Sequence, residues 1–169
     1  MSLVSSNNLE ESVTSETTEE AFIQEWKDAS SHGYVHLILV TANRLRMGKT
    51  YAAMRLGELL DSNFSIENVG FDTLWYIEEA DSLKPSAVLV LDEPNRAAGN
   101  RAWNTEENRI FAEYLQTNAY RGIHGLFPLP HQHLIDNAVA GVCTAQIVMD
   151  KPGHGTVYKI GRASCRERV

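Results

Sequence analysis

The chain has 169 residues, 43% of them hydrophobic and 22% charged, with a formal net charge of −7. That length suits one domain with a real core, and the acidic balance argues against a broadly basic nucleic-acid surface, though not against a local arginine-lined pore. No apolar run approaches the ~20 residues of a transmembrane helix, the N-terminus is polar rather than signal-like, and the two cysteines, Cys143 and Cys165, give neither a disulfide framework nor a metal spacing. A reducing cytoplasm is the natural location for such a chain.

Residues 1–20 are rich in Ser, Thr, Asn and Glu and contain no Lys or Arg, which predicts a disordered acidic arm. AFIQEWKDASS follows as a short amphipathic helix, with Phe22, Ile23 and Trp26 packing on a domain expected to span 21–159. Val35 to Val40 is an unbroken apolar run of the kind that forms a fully buried strand. After a short polar turn come Gly48, Lys49 and Thr50. A helix is then predicted over Lys49 to Leu60, with Ala52, Ala53, Leu56, Leu59 and Leu60 on its apolar face.

Strand, phosphate-sized loop, Gly-Lys-Thr and helix in that order is the context of a P-loop. Backbone N–H groups of such a loop, with the helix N-terminus, form an anion site. The predicted nucleotide contacts are Asn43, Arg44, Leu45, Arg46, Met47, Gly48, Lys49, Thr50 and Tyr51. Lys49 would reach the β- and γ-phosphates of ATP, and the Thr50 hydroxyl would ligate Mg²⁺. Asn43 stands where the pattern has its first glycine, and Asn tolerates the left-handed conformation better than most residues. The four residues after it are bulky for a phosphate cradle. The plainer alternative is an accidental GKT at a helix start.

DSNFSIENVG is a turn-rich link to a short strand expected at Thr73 to Ile77, with Glu78, Glu79 and Asp81 starting a solvated helix. Ser86 to Pro94, SAVLVLDEP, is a second buried strand and ends in Asp92-Glu93, a Walker B pattern. In a parallel sheet the two strand ends lie side by side, so Asp92 can support the Mg²⁺ beside Thr50. Glu93 would then orient and deprotonate the attacking water. Asp-Glu after a strand is also a common solvated loop or helix cap, but both motifs in this order favour a nucleotide-binding fold.

RAAGNRAWN reads as a loop, and Thr105 to Tyr120 as a helix capped by Asn104 or Thr105, with Ile110, Phe111, Tyr114 and Leu115 on one face. RGIHGLFPLP is a strand candidate bounded by Pro128 and Pro130, and PHQHLIDNAVAG a loop with a short helix. Val142 to Asp150 and Thr156 to Ile160 are two strands joined by KPGHG, a hairpin signal. Strands alternating with helices predict an α/β three-layer domain with a mainly parallel sheet.

Arg96, Arg101, Arg109 and Arg121 cluster around the segment after Asp92, where one of them could stabilise phosphoryl-transfer charge on a neighbouring subunit. Surface pairing with acids is the simpler account of each. His131, Gln132 and His133 fit a zinc site poorly, because one residue separates the histidines and no cysteine is near. Trp103 reads as a packing anchor before a base-stacking platform.

On GKT, VLVLDEP, LQTNAYRGIHGLFPLPHQ and the terminal hairpin, Val35 to Lys159 resembles the FtsK/HerA superfamily of P-loop ATPases. That superfamily includes viral DNA-packaging ATPases and zonula occludens toxin (Zot)-like phage proteins. The resemblance implies a RecA/ASCE-like P-loop fold and an Arg-Gly turn at Arg121-Gly122. It also implies Gln132 as a polar sensor at a strand end, and a homo-oligomeric ring, such as a hexamer, moving double-stranded DNA. ATP hydrolysis in a virus or mobile element is the leading expectation, with Lys49, Glu93, Gln132 and Arg121 in catalytic roles. A Zot-like assembly or adaptor protein with little turnover, and a small nucleotide kinase, are the alternatives. Finally, IGRASCRERV, residues 160–169, resembles a translated sequencing-adapter oligonucleotide, and is read as a non-native tail with no function.

Overall fold

The computed structural model describes residues 19–92, 106–129, 139 and 141–160. The central apolar run becomes β1 (Leu37–Ala42), every residue of it buried. On one side β4 (His124–Pro128) pairs parallel to it, and on the other β5 (Ala145–Lys151) does the same. Beyond β4 lie β3 (Val88–Leu91) and the two-residue β2 (Val69–Gly70), both parallel. β6 (His154–Lys159) ends the sheet antiparallel to β5, which is the expected hairpin. The order across the sheet is β2-β3-β4-β1-β5-β6.

Side-chain alternation along these strands feeds two separate cores. Leu37 and Leu39 join Leu89, Leu91, Phe127 and Leu129 on one face, under α3 (Thr73–Ser82) and α4 (Glu106–Thr117). Ile38, Val40 and Ala42 join Val88, Val90 and Leu126 on the other, under α1 (Glu19–Ser31) and α2 (Lys49–Leu60). Helices therefore cover both faces, in three layers.

The structure corrects the expected strand at Thr73 to Ile77. Those residues open α3, because the Asp72 carboxylate accepts from the N–H groups of Leu74 (2.9 Å) and Trp75 (3.1 Å) and caps a helix start. Thr73, Tyr76 and Ala80 then recur at helical spacing on the buried side. Glu78, Glu79 and Asp81 accordingly fall in the second half of a helix rather than at its start. The edge strand comes earlier, at β2, where Gly70 lies so close to the Trp75 ring that a Cβ would stand 1.9 Å from it. On α4, Phe111 and Leu115 are buried as expected, but Ile110 is exposed.

Pro128 ends β4 rather than bounding it. β3 pairs with β4 only as far as Leu126, so the missing proline N–H falls past that ladder. Phe22 and Trp26 dock α1 on the sheet as expected. The helix starts at Glu19, inside the expected acidic arm. The rest of that arm, 1–18, and all of the expected non-native tail except Ile160 lie outside the described residues. The Ile160 N–H donates to the Thr144 carbonyl at 2.9 Å and continues the pairing of β6.

α1 is also held by a polar chain under its C-terminal turn. The His36 backbone N–H donates to His124 Nδ1 (3.0 Å), which leaves His124 Nε2 to donate to Ser30 Oγ (3.1 Å). Ser30 Oγ in turn donates to the Trp26 carbonyl at 2.9 Å. The Trp26 ring stacks on His36 with centroids 4.1 Å apart. Lys159 on β6 pairs with Glu25 of α1 at the surface.

Candidate functional site: the loop between β1 and α2

β1 runs into residues 43–48 and then directly into α2, whose N-cap is Gly48 at φ 76°. This left-handed turn is the one position in the loop that requires glycine. A Cβ built there meets nothing within 4 Å, so the turn faces open space, and the N-cap residue supplies no side-chain cap. Ala52 is the first residue whose N–H reaches a carbonyl of the helix, that of Gly48 at 2.8 Å. The amides of Lys49, Thr50 and Tyr51 therefore sit at the open, positive end of α2.

The bulk of the loop does not fill this end. Met47 turns inward and packs in the core with Val40 and Ala53, while Arg44, Leu45 and Arg46 point outward and are exposed. Asn43, expected to supply a left-handed residue, does not; Arg46 does, at φ 60°. Holding a non-glycine residue there costs on the order of 1 kcal/mol. The buried Met47 next to it shows what the loop gains in return, an anchor to the sheet.

Asp92 follows β3, two strands away from β1, and is only 9% exposed. The Thr50 hydroxyl reaches both of its oxygens, at 3.1 and 3.0 Å, across 42 residues of sequence. This contact joins the two motifs. A hydroxyl and a carboxylate converging at an open helix N-terminus are hard oxygen donors that fit Mg²⁺, which takes one or two protein oxygens and completes its shell from phosphates and water. No group of three or more His, Cys, Asp or Glu residues suited to a metal occurs among the described residues.

The strand between β1 and β3 is β4. Leu129, just past its end, donates to the Val40 carbonyl at 2.9 Å, so β4 leads to the same edge of the sheet as the loop. Gln132 and Glu93 both lie outside the described residues, as do Arg96, Arg101, Trp103, His131 and His133. Arg121 is described and lies elsewhere. It precedes β4, at the opposite end of the parallel strands, on the order of 20 Å from Lys49 by strand length. There it pairs with Asp81 (3.4 Å) and donates to the Asp81 backbone carbonyl, while Gly122 makes the expected turn at φ 72°. Arg109 is an exposed partner of Glu106 at 3.6 Å.

Two polar clusters escape the motif reading. Gln146 of β5 donates to Thr41 Oγ1 at 2.8 Å, both residues being buried, and so braces β1 just before the loop. The signal was a single Thr and a single Gln inside apolar strands. The His36–His124 pair is the second, and burial depresses both imidazoles, His124 to about 4. Cys143 is buried, donates to the Val139 carbonyl, and has its thiol pushed up to about 12 by that burial, as for an inert core thiol.

No family model matches the chain, and no curated protein matches it. Among solved structures, a DNA polymerase III gamma subunit-related protein from Thermotoga maritima is similar over 78% of this chain and 46% of its own. That match has 11% identity and a TM-score of 0.56. RuvB of Thermotoga maritima is similar over 80% of this chain and 45% of its own, at 16% identity and the same TM-score of 0.56. This chain thus spans under half the length of either. No helix among the described residues is long and apolar enough to cross a membrane. Sheet order, loop and structural neighbours agree on one architecture, and the fold is that of a RecA/ASCE-like P-loop nucleoside triphosphatase.

Proposed function

We propose that the chain is a Mg-ATP-hydrolysing ATPase of the FtsK/HerA kind, coupling turnover to the movement of double-stranded DNA in a virus or mobile element. The observation that supports this most is the Thr50–Asp92 contact at the open N-terminus of α2. In this reading the amides of 49–51 and the Lys49 ammonium hold the phosphates, and Thr50 and Asp92 hold the metal. Bound Mg²⁺ supplies positive charge against the phosphate oxygens. Glu93, one residue past Asp92, accepts a proton from the attacking water, and Gln132 senses the terminal phosphate. Arg121 lies at the opposite end of the strands from its own Lys49, so a catalytic role for it requires a neighbouring copy in a ring. Residues 160–169 stay outside this function as a non-native tail.

The test is ATP turnover by the full chain with and without duplex DNA, beside Glu93→Gln. DNA-stimulated hydrolysis that disappears in the variant supports the motor. ATP binding with no turnover under any condition would instead identify a nucleotide-gated adaptor. Phosphoryl transfer to a nucleotide acceptor, indifferent to DNA, would identify a kinase.

A further inference from the structure

We infer that Tyr51 is the platform on which the base of the bound nucleotide stacks, so that the site takes purine nucleoside triphosphates as a class. The inference rests on the phosphate-loop reading above. Thr50 points at Asp92, and Ala53, three residues on, is completely buried; together they define the inward side of α2. Successive helical residues turn by about 100°, so Tyr51 leaves that side, and the residue is 72% exposed. Helical side chains lean toward the N-terminus. The ring therefore covers the first turn, next to the amides of 49–51, rather than the middle of the helix.

Nothing in the core needs this ring. Among the described residues every close aromatic pair involves other side chains: Phe22, Trp26, His36 and His124 in one cluster, Tyr76, Phe111 and Phe127 in another. Of the other exposed rings, Tyr34 and Tyr120 stand at the opposite end of the strands and Tyr158 lies on the edge strand β6. Phe71 follows β2 at the same end of the sheet as the loop, but on the far side of Asp92, whose N–H donates to the Gly70 carbonyl, whereas Tyr51 belongs to the first turn of α2 itself. The Thr50–Asp92 pair marks the metal side of the site. The nucleoside end of a triphosphate held along the amides would leave on the solvent side, where the exposed Tyr51 ring is available to it. Base–aromatic stacking tolerates base identity but gains with ring area, which favours purines over pyrimidines.

The experiment is calorimetric titration of the full chain, in Mg²⁺, with ATP, GTP, CTP and inorganic tripolyphosphate. The proteins compared are wild type, Tyr51→Ala, Tyr51→Phe and Lys49→Ala, with thermal melts confirming that each is folded. Tyr51→Ala should weaken ATP about tenfold, equivalent to about 1.4 kcal/mol, and leave tripolyphosphate within about twofold of wild type. Tyr51→Phe should restore ATP affinity, and the lead of ATP and GTP over CTP should shrink in Tyr51→Ala. Equal ATP affinity in wild type and Tyr51→Ala overturns the platform, as does an equal loss of ATP and tripolyphosphate. In either case the loss of both ligands in Lys49→Ala would leave the phosphate loop standing. A folded wild type that binds neither ligand overturns the loop reading and the platform together.

Discussion

His124 offers a quantitative test of how α1 is fastened. The residue is 1% exposed, beneath Trp26 and Ser30 of α1 and beside His36 just before β1, and the Glu25 carboxylate of α1, paired with Lys159, acts on His36. Burial, and secondarily His36, hold it down to about 4, against 6.5 for an unperturbed imidazole. Between those values the unfolded chain binds a proton that the native chain refuses. The contribution is therefore complete above about pH 6.5 and is lost as the pH falls toward 4. From His124 alone the loss at about pH 5 comes to about 2 kcal/mol. His36, also depressed, adds to it in the same direction. Urea unfolding at steps from pH 7.5 to 5 would measure this slope, beside His124→Asn, whose amide oxygen can still accept from the His36 N–H. The variant should be less stable at neutral pH but show a slope flatter by about 2 kcal/mol over the same interval. Parallel profiles for the two proteins would refute the assignment of a buried neutral imidazole.

Three further outcomes follow from particular contacts. Gly125→Ala would place a Cβ 2.6 Å from the Phe127 ring and 2.7 Å from the Tyr76 hydroxyl, and should cost about 1–3 kcal/mol in urea unfolding; a variant as stable as wild type would mean this core is looser than described. Thr50→Val removes the hydroxyl at nearly constant volume, so it should abolish the gain in ATP affinity given by Mg²⁺ while changing Mg-free binding less than about twofold, read by titration. Arg121→Ala should lower stability by about 1 kcal/mol, as for a partly exposed ion pair, and leave ATP affinity unchanged. A drop in turnover that appears only at concentrations where the chain assembles would place the arginine at a neighbour's nucleotide.

The long apolar runs carried most of the architecture. β1, β3 and β4 were legible because a buried parallel strand needs no polar alternation, and the KPGHG turn announced the β5–β6 hairpin. Thr73 to Ile77 misled because Thr, Trp, Tyr and Ile favour strands by composition. Asp72 in front of them was the stronger signal, since its cap hydrogen bonds commit the backbone to a helix. β2 is two residues long and has no pattern to read. In the site, GKT and Asp92 could be found from sequence, but their meeting depends on β3 lying two strands from β1 with only β4 between them, a matter of topology. The loop's conformation was the least legible part. Which residue turns left-handed depends on Met47 being buried, and a sequence of bulky residues does not say which one points in.

The central claim is that Lys49, Thr50 and Asp92 form one site for a metal-bound nucleoside triphosphate. Titration of ATP into the folded chain, with and without Mg²⁺, beside Lys49→Ala and Asp92→Ala, tests it most directly. The account predicts that wild type binds ATP and gains at least about tenfold in affinity from Mg²⁺. Lys49→Ala should lose binding in both conditions, and Asp92→Ala should lose only the Mg²⁺-dependent part. ATP affinity indifferent to both substitutions, in samples with native melts, would contradict it.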